Sequence, residues 1–217
     1  MTRVTLGLIG RVGIWAGAIL TLGFGSVAAT TSPSDSTTGI QQLNRLLTSY
    51  LKTGSTPVGN KLCLRLIEQK ELPVGRSVDR SDFLSNIESA LPFLYKRVQL
   101  EDTVAIKLVL LFRRFTDGAV AEQLDGSFGD LLPKNPVLFL RMLQRFVPTS
   151  RPDFDYILFP KGEKFSDKTL ERLKEIERRE ISLKSVHSLT LLSERDTCIA
   201  ILQQDRSQFM EGGEDPR

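Results

Sequence analysis

The sequence predicts an all-α fold, a single compact domain of about seven short helices. Apolar residues recur at three- and four-residue intervals in segments from Ile40 to Leu202, which is the spacing of one helix face. Proline and glycine punctuate these segments at positions where helices end. Few segments alternate with the two-residue period of a strand, and none forms a convincing strand pair.

The first predicted helix begins at Thr38, which opens a capping box, and ends at Gly54. The second covers residues 60–72, although alternation at residues 62–66 leaves a strand possible. The third begins at residue 79 or 81 and contains Pro92, which we expect to kink or divide it.

The segment 104–115 is the most apolar of the predicted helices, with apolar side chains around most of its circumference. Such a helix must be buried on several sides, so we predict that it is the central helix of the domain. A weaker helix, 119–132, follows it and contains Gly126 and Gly129.

Asn135 and Pro136 form the clearest helix start in the chain, a capping residue followed by proline, and open a helix over 137–147. Together with Leu131-Leu132-Pro133, this turn resembles those of HEAT-like helical pairs. No period repeats cleanly along the chain, so the prediction is an irregular bundle with possible HEAT-like pairing.

Residues 154–159 are predicted to be an extended aromatic stretch within the longest connection. A charged helix capped at residue 166 or 167 follows, with Glu175 and Arg179 as an i,i+4 pair worth only a few tenths of a kcal/mol. The last helix runs from residue 193 or 194 to about 209, and a flexible tail, 211–217, ends the chain.

The N-terminal segment 1–29 has the order of a secretory signal peptide. A cationic start precedes an uncharged apolar run over 12–25, and small residues up to Ala29 suit a signal peptidase. A polar linker, 30–37, and the helical domain, 38–210, would follow. The sequence therefore predicts an extracytoplasmic protein, periplasmic or secreted.

An uncleaved anchor is the alternative to a signal peptide. The apolar run is about 14 residues long, whereas a membrane-spanning helix needs about 20. Cleavage is therefore favoured, and we expect membrane contact only through this segment, should it be retained.

The charge of the chain argues against a nucleic-acid partner. The 29 basic and 26 acidic residues become 27 and 26 once Arg3 and Arg11 leave with the signal, and the two signs are interspersed.

Cys63 and Cys198 are the two cysteines of the chain. An even number of cysteines in an exported protein permits one disulfide, which we predict between these two. Two unrelated buried thiols are the alternative, since free cysteine is among the most buried residue types.

Residues that could carry chemistry are few. His187 is the single histidine, and no spacing supplies it with a nucleophile and an orienting carboxylate. Zinc and EF-hand calcium patterns are absent from the sequence, so we expect no metal and no cofactor. The dipeptide Glu88-Ser89 resembles the catalytic Glu-Ser of lytic transglycosylases, but no downstream sugar-groove segment accompanies it.

Two functions of different class remain. The first is a non-catalytic domain that binds a protein of the cell envelope or acts as a scaffold, with Phe154, Tyr156 and Phe159 as the candidate partner surface. Those rings could instead pin the long connection to the core. The second is a cell-envelope hydrolase that uses a helical carboxylate such as Glu88.

Overall fold

The structure is a computed structural model that describes residues 33–69, 72, 77–147, 157–159 and 169–211. Within these ranges the chain forms eight α-helices and one 3-10 turn at Leu189–Leu191, and no strand. The all-α prediction is confirmed. The helices are α1 (Pro33–Thr53), α2 (Thr56–Glu68), α3 (Ser77–Gln99), α4 (Thr103–Phe112), α5 (Gly118–Gly129), α6 (Pro136–Phe146), α7 (Thr169–Lys184) and α8 (Leu192–Glu211).

Helices α1 and α2 form one antiparallel hairpin, and α3 and α4 form a second that stacks on the first. Asn86 donates from Nδ2 to Oδ1 of Asn44 at 3.0 Å, and the rings of Tyr50 and Phe93 meet edge to face at 5.6 Å. Residue numbers therefore rise together along α1 and α3, so these two helices are parallel.

Helices α2 and α4 show the same relation. The start of α2 packs on Val104, and beyond its end the carbonyl oxygen of Gln69 accepts a hydrogen bond from Arg114 at 3.4 Å. Equivalent helices of the two hairpins thus lie side by side, with α1 and α3 in one layer and α2 and α4 in the other.

Helices α5 and α6 continue the two layers, α5 beside α3 and α6 beside α4, and the rings of Phe128 and Phe139 stack between them at 4.6 Å. Asp130, just after α5, accepts a hydrogen bond from Tyr95 near the end of α3, while Asn135, before α6, donates to Glu101 before α4 at 2.8 Å. The first helix of each layered pair begins at Pro33, Ser77 and Gly118, a spacing of about 40 to 45 residues that falls in the range of two-helix repeats of HEAT type.

The prediction that the most apolar helix is central is confirmed by α4. It packs against α2, α3, α5 and α6, and its residues from Val104 to Phe112 are buried except Lys107. Its start is capped by Asp102, whose Oδ1 accepts from the backbone N–H of Val104 at 2.8 Å. The cap predicted for Asn135 is also present, since Oδ1 of Asn135 accepts from the N–H of Leu138 at 3.0 Å.

Several helix starts differ from the predictions. Helix α1 begins at Pro33, so it includes residues 33–37 of the predicted linker, and Thr38 lies inside the helix. Helix α2 runs from Thr56 to Glu68, so it begins and ends four residues earlier than the predicted range 60–72. Both helices have a proline in the first turn, where the missing N–H costs nothing because no intrahelical acceptor exists there.

Helix α3 continues through Pro92, which the sequence predicted to kink or divide it. Leu91 and Leu94 beside it are buried, so packing on both sides holds the helix together across the lost hydrogen bond. The prediction of an extended aromatic stretch over 154–159 is wrong at Ile157 and Leu158, which have helical backbone. The remainder of that stretch lies outside the described residues.

The predicted disulfide is not formed, because Cys63 and Cys198 are both free and buried. Cys63 lies on α2, which packs on α1 and α4, whereas Cys198 lies on α8, which packs on α6 and α7. Their apolar neighbours indicated burial correctly, but the two helices belong to different parts of the stack. Burial raises the pKa of Cys63 to about 11 and the pKa of Cys198 to about 12.

The predicted signal peptide, 1–29, and tail residues 212–217 lie outside the described residues. Glu211, assigned to the tail by the sequence, is the last residue of α8. Among the helices of the described ranges, none combines the length and the apolar character that crossing a membrane requires.

Candidate functional site

A groove runs between α3 and the start of α5, with a cavity of about 260 Å³. Its α3 wall consists of residues spaced three and four apart, which lie on one face of a helix. The opposite wall comes from the turn before α5 and from its first turn. The lining residues are Ser81, Leu84, Ser85 and Glu88 on one side and Thr116, Asp117 and Val120 on the other.

The floor of the groove is apolar and its rim is polar. Leu84 and Val120 are half-buried, and both pack against the core. Ser81, Ser85, Glu88 and Asp117 are exposed to solvent. A ligand in the groove would therefore meet apolar side chains at the bottom and hydroxyl and carboxylate oxygens at the edge.

The Asp117 carboxylate occupies a position where aspartate commonly caps a helix, yet it does not do so here. Asp117 is the N-cap residue of α5, with extended backbone, and its side chain accepts no hydrogen bond from the first turn of the helix. Gly118 follows with φ +52°, a conformation that favours glycine. The carboxylate is thereby left at the rim of the groove.

The neighbouring hydroxyl is already engaged. Thr116 donates from Oγ1 to the carbonyl oxygen of Phe112 at 3.3 Å, which fixes the turn between α4 and α5. Next to the groove, Arg113 and the buried Asp125 form an ion pair at 2.8 Å that holds the end of α4 against α5. The α5 wall is therefore supported by contacts that do not involve the two rim carboxylates.

Glu88 and Asp117 lie in one groove although 28 residues separate them in the chain, because α5 is parallel to α3 and packs beside it. Across the ranges that the structure describes, neither carboxylate is in a salt bridge or a side-chain hydrogen bond. The groove therefore presents two negative charges that are available to a ligand.

Glu88 was the residue on which the hydrolase hypothesis rested, and the structure places it in the groove. Glycoside hydrolases keep their general acid in an apolar pocket, opposite a second carboxylate. Glu88 has a second carboxylate in the same groove but is exposed to solvent. The geometry thus provides one of the two requirements.

The predicted partner surface lies in part outside the described residues, since only Phe159 of the three aromatic residues is described. Phe159 is half-buried and packs against the core. This is the position expected of a ring that pins the connection, which was the alternative interpretation. Phe154 and Tyr156 are not described.

His187 is exposed, in the connection between α7 and the 3-10 turn. No group of three or more histidine, cysteine or carboxylate side chains that could hold a metal ion occurs within the described ranges.

Sequence reasoning missed Asp117, Thr116 and Val120, which form one wall of the groove. The Asp117-Gly118 dipeptide was visible as a turn signal before the fifth helix. Only the pairing of α3 with α5 shows that this turn faces Glu88. Comparison with protein-family profiles, curated proteins and solved structures gives no significant match for this chain.

Proposed function

We propose that this chain is an exported, non-catalytic protein-binding domain whose partner docks in the groove between α3 and α5. The observation that carries the proposal is the groove itself, about 260 Å³ in volume, with an apolar floor and a polar rim. This combination is what protein and peptide docking sites require, since the floor supplies apolar burial and the rim supplies orientation.

The stacked hairpins support the proposal. Each hairpin buries one face against the next, so the stack presents parallel helices side by side with grooves between them. Helical repeat proteins use such surfaces for binding. The groove lies between two helices of one layer, and its rim carboxylates take no part in holding the fold together.

Export is proposed from the signal-like order of residues 1–29. The state of the cysteines is compatible with an oxidising compartment. A thiolate is the reactive form, and burial raises the pKa of Cys63 to about 11 and that of Cys198 to about 12, so little thiolate forms at neutral pH.

A cell-envelope hydrolase is the second candidate, favoured by the position of Glu88 and Asp117 in one groove. It ranks below binding because Glu88 is exposed to solvent rather than enclosed in an apolar pocket. Glu88→Gln distinguishes the two functions. It would abolish peptidoglycan cleavage by a hydrolase, whereas a binding domain shows no cleavage with or without the substitution.

The test is affinity purification from envelope extract with residues 30–217 as bait, in three forms. Ser85→Arg places a long cationic side chain in the groove, whereas Ser207→Arg makes the same change at an exposed helical position on α8. We expect one identified protein to be retained by the wild type and by Ser207→Arg and lost with Ser85→Arg. Retention by all three forms, or release of soluble fragments from peptidoglycan by the wild type, would reject the proposal.

A further inference from the structure

We infer that the occupant of the groove is a cationic, amphipathic segment of a partner protein, with lysine or arginine at the rim and an apolar side chain on the floor. The inference rests on the proposed function and adds the chemistry of the partner. It follows from the charges of the groove, which are of one sign, and from the shape of its floor.

Glu88 and Asp117 are the charged residues among those that line the groove, and both are acidic. The other polar residues of the lining are Ser81, Ser85 and Thr116, whose hydroxyl groups are neutral. A cation that enters the groove therefore meets one acidic lining residue on each wall and no basic lining residue.

Leu84 and Val120 leave part of their surface exposed, although both are packed against the core. A small hydrated cation alone would leave this surface in water. A segment that carries an apolar side chain next to its basic residue covers the floor and reaches the rim at the same time.

The groove is bounded by parallel helices, and its α3 wall extends over two helical turns from Ser81 to Glu88, about 10 Å along the axis. A helical segment of two turns has the same length as this wall. Recognition by an amphipathic helix lying in a groove between helices is a common mode of peptide binding.

The experiment measures binding of a fluorescein-labelled 14-residue peptide that places leucine and lysine on opposite faces of a helix, with residues 30–217 as the receptor. The groove variant is Glu88→Gln with Asp117→Asn, which removes both charges, retains side-chain shape, and keeps a residue suited to the N-cap. The matched control is Glu177→Gln with Asp196→Asn, which removes two exposed charges on α7 and α8.

We expect saturable binding to the wild type and to the control, about tenfold weaker binding to the groove variant, and weakening of wild-type binding as salt is raised. A peptide with glutamate in place of lysine should not bind. Equal binding to the groove variant and the wild type overturns the inference, as does an absence of binding to the wild type.

Spermine is a second test ligand, because a free polyamine has the positive charge of the peptide but not its apolar face. If spermine binds with the same sensitivity to the groove variant and the peptide does not compete with it, the site takes small amines and the inference is wrong. If an envelope protein is lost with Ser85→Arg but the lysine–leucine peptide does not bind, the proposed function stands and only the chemistry of its partner is rejected.

Discussion

Replacing Arg179 with alanine is expected to lower the free energy of unfolding by about 3 to 5 kcal/mol, the cost of breaking a buried, hydrogen-bonded ion pair. Arg179 is only 2% exposed. Its guanidinium donates to the carbonyl oxygen of Leu158 at 2.7 Å and to Glu175 at 3.1 Å, and it lies 3.4 Å from Asp130. Alanine would leave the buried carbonyl oxygen of Leu158 without this donor, remove one of the cations paired with Glu175, and open a cavity between α7 and the segment 157–159.

The energetic importance of these contacts follows from burial. Burial lowers the pKa of Arg179, while the neighbouring Glu175 carboxylate acts in the opposite direction. A charge that has lost its hydration depends on its protein partners, so their loss is expensive. The measurement is urea unfolding followed by circular dichroism, in which the midpoint should fall.

Arg178→Ala is the matched control, because Arg178 precedes Arg179 in α7 and forms an ion pair with the same carboxylate, Glu175. Its side chain is 61% exposed, and the ion pair is 2.9 Å long. Exposed pairs contribute little, so this change should cost about 0.5 kcal/mol or less. Should Arg179→Ala prevent folding altogether, Arg179→Lys retains the charge without the planar fork and should give an intermediate midpoint. Equal midpoints for Arg178→Ala and Arg179→Ala would contradict the role given to Arg179.

Replacing Gly59 with alanine is expected to destabilise the protein by about 1 to 3 kcal/mol, as overpacking does. A Cβ at this position would meet Val104 on α4 and would lie 2.8 and 2.9 Å from ring carbons of Tyr50 on α1. Real contacts are not that short, so α2 would have to move away from both neighbours. This loss should outweigh the gain of about 1 kcal/mol that alanine gives in a helix.

Gly126→Ala is the control for Gly59→Ala. Gly126 lies within α5, and a Cβ there would meet no atom within 4 Å. Without a clash, only the helix propensity changes, so this variant should be more stable than the wild type by about 0.5 to 1 kcal/mol. Thermal unfolding of both variants measures the difference. If the Gly59→Ala protein is as stable as the Gly126→Ala protein, then α2 does not pack closely against Tyr50 and Val104.

The sequence predicted the helices well and the hairpin stack poorly, for a physical reason. Three- and four-residue spacing indicates which face of each helix is buried. Helix α4 was predicted to be central because its apolar side chains surround most of the helix, and eight of its ten residues are buried in the structure. The repeat is hidden because the helices differ in length, with 21 and 13 residues in the first hairpin, 23 and 10 in the second, and 12 and 11 in α5 and α6.

Contacts between distant segments were beyond the reach of local patterns. Arg179 was predicted to form an i,i+4 pair with Glu175, and that pair is present, but its buried setting depends on the segment 157–159. Likewise, the sequence singled out Glu88 but could not place Asp117 beside it. For the cysteines, apolar neighbours indicated that each is buried, which does not specify whether their helices meet.

The most direct test of the proposed function is site-specific photo-crosslinking in the envelope of living cells. A benzophenone amino acid is placed at Ser85, in the groove, or at Ser207, on α8, in the otherwise unchanged chain. We predict one crosslinked adduct from Ser85 and none from Ser207, with mass spectrometry locating the attachment in a segment of the partner protein. An adduct from both positions, or from Ser207 alone, would contradict the claim that the groove between α3 and α5 is the docking site.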